Sequence, residues 1–300
     1  MKVRIAELRG LLVRPTGEWL FLALLTLLGA NSLYNGFTAN QLGEWERSVL
    51  VGNIVIGSLA WGIVAAIVAR RRWGFPLLWL LAAAMLYTGC VAAWKLGGAP
   101  TIQVMGTAMM IMFISAALIW YGTRRLHAGI TQRMWPTLVE HHAIAVEEYV
   151  AAISGMSLAK WNVRRAPDAW SAAEITEHLV RTYAQYAGEA RGKNSLRVRV
   201  PFLRRLVIRL FVKPRLLAGQ IFPRARAPRE LRPTGGPPTP ADGVAMFRAA
   251  GEGCVRDLQV MSVRRPYRTM AHPYFGAIPL YELMEFASQH IGHHRRQLPS

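Results

Sequence analysis

Three of the chain's eight histidines fall within five positions of the stretch FASQHIGHHRRQL, Phe286 to Leu298. His290 and His294 are four residues apart, so on an α-helix their side chains leave the same face about one turn apart and can share a cation. A third ligand must then come from another element. The leading candidate is His178 in WSAAEITEHL, because the helix carrying it would pack against the last helix in a bundle. Three neutral imidazoles with an open fourth position make a site of the catalytic type, in which a bound water is acidified or a substrate thiol is taken up as thiolate. The alternative is a structural trio, since a bundle does not require a metal to fold. His293 lies roughly 60° around the helix from His290 and roughly 100° from His294, and faces solvent or a partner behind the ligands. His272, before Pro273, belongs either at the site mouth or in loop packing. His141 and His142, with Glu147 and Glu148 nearby, form a rival ligand cluster or a solvated helix face. No carboxylate stands out as a general base.

The elements that must position these residues can be drawn from capping and periodicity. The second half of the chain carries four amphipathic segments, Thr131–Ser154, Ser171–Ala190, Thr239–Val263 and Pro279–Gln297. Ser171 and Glu174 have the spacing of a capping box, in which the hydroxyl and the carboxylate each satisfy a backbone N–H at the helix start. Thr239, Pro240 and Asp242 supply a cap, a first-turn proline and a first-turn acid. No alternating strand pattern of useful length competes, so the expected fold of this half is an all-α bundle.

The first half reads as lipid-facing. Four apolar stretches, at about 19–36, 49–69, 76–94 and 102–121, approach the ~20 residues needed to cross a hydrocarbon core, and none contains Asp, Glu, Lys, Arg or His. Asn31, Ser32 and Asn35 weaken the first. Basic residues alternate across the stretches: Lys2, Arg4, Arg9 and Arg14 before the first, Arg70–Arg72 between the second and third, and Arg124 and Arg125 after the fourth. By the positive-inside rule this places both termini in the cytoplasm. The lack of charge inside the stretches argues for an anchor over an ion or proton path. The expected organisation is a transmembrane anchor over 1–127 and a helical bundle over 128–300, in a bacterial inner membrane. Cys90 and Cys254 are too few for a disulfide framework.

The chain's 36 Lys and Arg outnumber its 17 Asp and Glu, and the second half's share of that surplus is local. Residues 191–240 hold 13 basic residues and one acid, Glu230, whereas the rest of 131–300 holds 12 of each. Within this insert Leu203, Leu206, Val207, Leu210 and Phe211 follow helical spacing, with Arg204, Arg205, Arg209 and Lys213 off the stripe. That pattern suits a basic amphipathic helix on anionic lipid; a packed structural helix is the blander alternative. Nucleic acid is not expected as a partner, because stacking aromatics and a reader fold are missing.

WSAAEITEHL at Trp170–Leu179, HPYFG at His272–Gly276 and ELMEFASQHIGHHRRQ at Glu282–Gln297 together resemble the DinB-like (DinB/YfiT) superfamily of four-helix bundles. The resemblance covers about Thr131 to Leu298 apart from the insert. It implies a divalent-metal site, zinc or nickel, built from His178, His290 and His294. It also implies one of the activities found in the family, a thiol S-transferase using a small thiol such as bacillithiol or mycothiol, or a metal-dependent hydrolase. The fused apolar half and the insert depart from the family pattern and leave the substrate open. The competing expectation is a non-enzymatic, membrane-associated sensor or ligand-binding bundle.

Overall fold

The computed structural model describes residues 16–38, 44–95, 101–193, 196, 200–221 and 226–299. The chain divides into two compact units, Met1–Ile130 and Thr131–Ser300. The first contains α1 (Thr16–Thr38), α2 (Glu44–Val68), α3 (Gly74–Lys95) and the beginning of α4 (Thr101–Ser154). Leu22, Leu25, Ile56, Ile63, Leu78 and Leu81 form its core. Helices α1 and α2 approach closely where Gly29 faces Trp61: a Cβ at Gly29 would lie 2.1 Å from the indole, so only glycine leaves room for the ring. Large apolar side chains, including Leu20, Leu24, Leu27, Trp79 and Leu80, face outward, while Ser32 and Ser115 are buried.

Among the described residues Val51–Val68 and Gly74–Val91 are long and apolar enough to cross a membrane, and Trp19–Asn35 is apolar but shorter. The expected four-span region is therefore not supported as drawn. The side chains at 16–18 and 36, at the ends of the first stretch, and at 103, 104 and 107 in the fourth lie outside the described ones. The N-terminal basic cluster also lies outside the described residues.

In the second unit α4 continues to Ser154 with Pro136 inside it. There follow α5 (Leu158–Asn162), α6 (Ala172–Ala190), α7 (Phe202–Val207), a π-helical turn (Ile208–Val212), α8 (Lys213–Leu217), a 3-10 turn (Arg229–Leu231), α9 (Pro240–Arg264), β1 (Thr269–His272), β2 (Gly276–Pro279) and α10 (Leu280–Arg295). The helix starts obey their caps. The Ser171 side chain accepts from the Glu174 N–H while the Glu174 carboxylate accepts from the Ser171 N–H, and Thr239 accepts from the Asp242 N–H. Tyr149, Ile153, Phe247, Leu258, Leu283 and Ile291 are buried in this unit. Two of its interior hydroxyls are paired in series: the Tyr149 hydroxyl bonds to Thr176 at 2.8 Å, and Thr176 donates to the Ala172 carbonyl at 2.8 Å.

Two elements depart from the all-helical expectation. The pair β1 and β2 forms an antiparallel hairpin, with Met270 opposite Ile278 and His272 opposite Gly276. Four-residue strands are too short to register as alternation, and the turn depends on Gly276 at φ 73°. The hairpin is tied to α6 by the Ala271 N–H, which donates to the Glu189 carboxylate at 2.9 Å. The expected helix at 131–154 is also not separate, since α4 is one 54-residue helix from Thr101. Gly122 and Gly129 lie between the apolar stretch and the amphipathic one, and Pro136 follows, yet the helix runs through all three.

Candidate metal centre

Helix α6 presents His178, and α10 presents His290 and His294 one turn apart. The Nε2 atoms of His178 and His290 are 3.4 Å apart, those of His290 and His294 are 3.0 Å apart, and one ligand atom from each histidine lies within 4.8 Å of the others. Three nitrogens at ~2.0–2.1 Å from a tetrahedral zinc would stand roughly 3.3 Å apart, so the rings are already near the spacing such an ion requires. Among the described residues no other group of three His, Cys, Asp or Glu converges in this way.

The hydrogen bonds behind the rings fix which nitrogen faces inward. His178 Nδ1 lies 2.7 Å from the Leu231 carbonyl. A carbonyl only accepts, so Nδ1 carries the proton and Nε2 offers its lone pair to the common point. His294 Nδ1 lies 2.7 Å from the Gln297 amide oxygen, and the Gln297 amide nitrogen lies 2.9 Å from His293 Nε2. In this relay Gln297 donates to His293 and accepts from His294, which again leaves Nε2 as the inward lone pair. Such partners commonly orient metal-bound imidazoles. His293 therefore sits behind the cluster and does not join it.

Electrostatics favours the neutral, ligating form. Burial holds the His178 pKa below its ordinary value, opposed in part by the Leu231 carbonyl. Burial and then the adjacent rings push His290 and His294 well below theirs. Aromatic side chains bracket the cluster: Phe286 stacks on His290 with centroids 5.2 Å apart, and Trp170 stands 4.9 Å from His178 and 6.2 Å from His294.

Glu177, next to His178, plays a part that sequence reasoning missed. Its Oε2 accepts the N–H groups of Thr234, Gly235 and Gly236 at 2.8, 3.0 and 2.8 Å. Its Oε1 accepts from the Thr234 hydroxyl at 2.9 Å and from Arg181 at 2.7 Å. Burial raises the Glu177 pKa, but these donors outweigh it and hold the carboxyl at about 2. Gly236 lies at φ 83°, and a Cβ there would come 2.5 Å from the Ala173 backbone, so the turn that meets this carboxylate needs glycine. The clamp secures the loop that carries the Leu231 carbonyl. The only sequence signal was a TGG turn following a Pro-rich run, with nothing to link it to Glu177.

The remaining histidines do not ligate together. His272 is buried, stacks on Phe275 at 4.2 Å and uses Nδ1 to accept the Tyr274 and Phe275 N–H groups at 3.3 Å, so it holds the hairpin turn at the cavity wall. His141 is exposed, whereas His142 is buried with Nε2 2.7 Å from the Tyr183 hydroxyl. Glu147 pairs with Arg248 at 2.6 Å and Glu148 with Arg295 at 2.7 Å. These four therefore do not form the rival cluster.

The triad opens into a cavity of about 1140 Å³ whose lining includes Arg165, Arg204, Arg226, Arg232 and Arg296, with Asp168 as its single carboxylate among the described residues. A helical bundle with one histidine on its second long helix and an HxxxH pair on its last is the architecture in hand. The chain belongs to the DinB superfamily, whose family model matches residues 143–298. Membership in this typically metal-binding superfamily and the histidine cluster together define a metal-binding type of helical protein. No curated protein and no solved structure matches the chain.

Proposed function

We propose that the chain is a membrane-anchored, cytoplasm-facing DinB-like metalloenzyme in which His178, His290 and His294 hold one divalent ion, zinc or nickel, for thiol S-transfer. The observation that carries this reading is the convergence of three inward Nε2 atoms on one side of a large cationic cavity. A divalent ion there supplies the acidification of a bound thiol or water. The chain's own groups orient the imidazoles through Leu231 and Gln297, exclude water with Trp170 and Phe286, and attract an anionic substrate through the five arginines.

The lining favours a thiol over water as the nucleophile. A thiol's pKa of about 8.5 needs far less help than that of water at about 15.7, and among the described residues Asp168 is the single carboxylate in the lining that could act as a base. Metal-dependent hydrolysis is the second reading, since a metal can acidify water without a base. The membrane-anchor reading rests on two described helices of sufficient length and apolarity and on outward-facing leucines in the first unit, and the cytoplasmic placement of both termini rests on the alternation of basic residues.

Metal analysis of the intact, detergent-purified chain should give about one equivalent of divalent ion, lost in His290→Ala and His294→Ala and retained in His293→Ala. Thiol-dependent turnover of an electrophilic substrate should follow the metal. A metal-replete chain that binds thiols without turnover would make it a sensor or binding bundle, and a chain that binds no divalent ion would overturn the site.

A further inference from the structure

The insert forms a roof over the cavity, and its two faces are both apolar. On the underside Ile208, Val212 and Leu216 line the cavity wall, and Lys213 pins the roof to α10 through a 2.6 Å ion pair with Glu282 in which both side chains are only 12% exposed. On the outside Phe202, Leu203, Leu206, Val207, Leu210 and Phe211 are all exposed, Leu203 to 74%. The four within α7 span roughly 140° of arc at ~100° per residue. Exposed Arg204 and Arg209 flank them, and Arg205 lies over the Phe202 ring at 5.5 Å. A structural helix would bury that stripe, yet here the stripe points away from the bundle. Contiguous apolar surface of this kind marks an interaction face.

Charge identifies what covers it. Residues 191–240 carry 13 basic residues against one acid, which complements an anionic leaflet, and an apolar strip rimmed by arginine is the form taken by interfacial helices. We propose that Phe202–Leu217 is a bilayer-docking roof whose outer face enters an anionic membrane leaflet, and that the cavity beneath takes an amphiphilic ligand with an anionic head from that interface. The cavity suits such a ligand: Leu231, Phe275 and Phe286 add apolar wall to the roof's underside, five arginines provide for the head, and about 1140 Å³ accommodates a chain as well as a headgroup. The docking half is independent of the metal. The ligand half rests on the histidine cavity being the working site.

The test uses the intact chain in nanodiscs of phosphatidylcholine alone or with phosphatidylglycerol. A fluorophore is attached through Leu210→Cys in a Cys90→Ser background, Cys254 being buried. Quenching by lipids brominated on their acyl chains should be strong with phosphatidylglycerol and fall with salt. It should drop to background in Leu203→Glu/Leu206→Glu, and Arg209→Glu should weaken the anionic-lipid dependence about fivefold, the equivalent of ~1 kcal/mol for one basic residue. These side chains are exposed, so retained helix content in each variant is expected and is checked by circular dichroism. Equal quenching by an aqueous quencher with either lipid overturns docking, as does label protection that tracks protein concentration, which would assign the face to a second copy. For the ligand, lysophosphatidylglycerol below its micellar concentration should slow amide exchange in Phe286–Gln297, and inorganic phosphate should not. Protection by phosphate alone overturns the amphiphile assignment. The same quenching measured in His290→Ala separates the two readings: docking without metal leaves this inference standing while the metal centre fails, and metal without docking does the reverse.

Discussion

Replacing Glu177 with glutamine removes one charge from a carboxylate that never touches the proposed ion, and two consequences follow from its contacts. Oε2 receives three backbone N–H groups at 2.8–3.0 Å, and an amide oxygen can still face them. The amide NH2 must then occupy the Oε1 position opposite Arg181, now 2.7 Å away, where two donors would meet. Charge-assisted hydrogen bonds contribute about 1.5–3 kcal/mol and neutral ones about 0.5–1.5. The clamp is at the unit's edge with a side chain 12% exposed, so water recovers part of the loss, and the net cost of Glu177→Gln should be about 2 kcal/mol. For a unit the size of Thr131–Ser300 this lowers Tm by roughly 4–8 °C. The second consequence reaches the site: a looser Thr234–Gly236 turn frees the Leu231 carbonyl that orients His178, and metal affinity should fall about tenfold, the lower end for groups that support a ligand from behind. Thermal unfolding of the intact chain in detergent, followed by tryptophan fluorescence, reads the first effect. Competition with a chromophoric chelator reads the second. Glu177→Ala should be worse on both counts. If Glu177→Gln unfolds at the wild-type temperature and releases metal no more readily, the clamp does not position His178 and the reasoning is refuted.

Acid should destabilise the second unit through histidines outside the triad. Burial lowers the His142 pKa to about 4 and that of His272 to about 3, against about 6.5 when unfolded. Between these values the unfolded chain binds more protons, so stability is full above about pH 6.5 and should fall by roughly 2 kcal/mol per histidine on going to pH 5. Urea midpoints at pH 7.5 and 5.0 measure it, and His142→Gln should flatten the profile; an unchanged profile would mean that His142 is not held neutral by burial. For topology, a reporter fused after Ser300 should read cytoplasmic, as the basic clusters at Arg70–Arg72 and Arg124–Arg125 require. A signal from the far side would mean an odd number of spans.

What the sequence determined by itself is local. Ser171 with Glu174, and Thr239 with Asp242, mark helix starts because capping depends on residues three apart on one chain, and the structure shows both caps. His290 and His294 share a face because an i, i+4 spacing does so on any α-helix. The roof's apolar stripe and its arginines were legible for the same reason. Which way that stripe faces was not, since periodicity defines a face without saying what covers it. Only tertiary packing brought His178 to His290, 112 positions away, and set the Leu231 carbonyl, 53 positions on, behind its ring. The Glu177 clamp and the four-residue strands were likewise invisible: each depends on backbone groups from distant segments meeting in space, and backbone N–H groups carry no residue-specific signal. The number of membrane spans lies between these cases. Composition identifies apolar stretches, and the structure shows Val51–Val68 and Gly74–Val91 as helices long and apolar enough to cross a bilayer, whereas Asn31, Ser32 and Asn35 sit inside the first helix, Thr16–Thr38, and dilute its apolar character without shortening it.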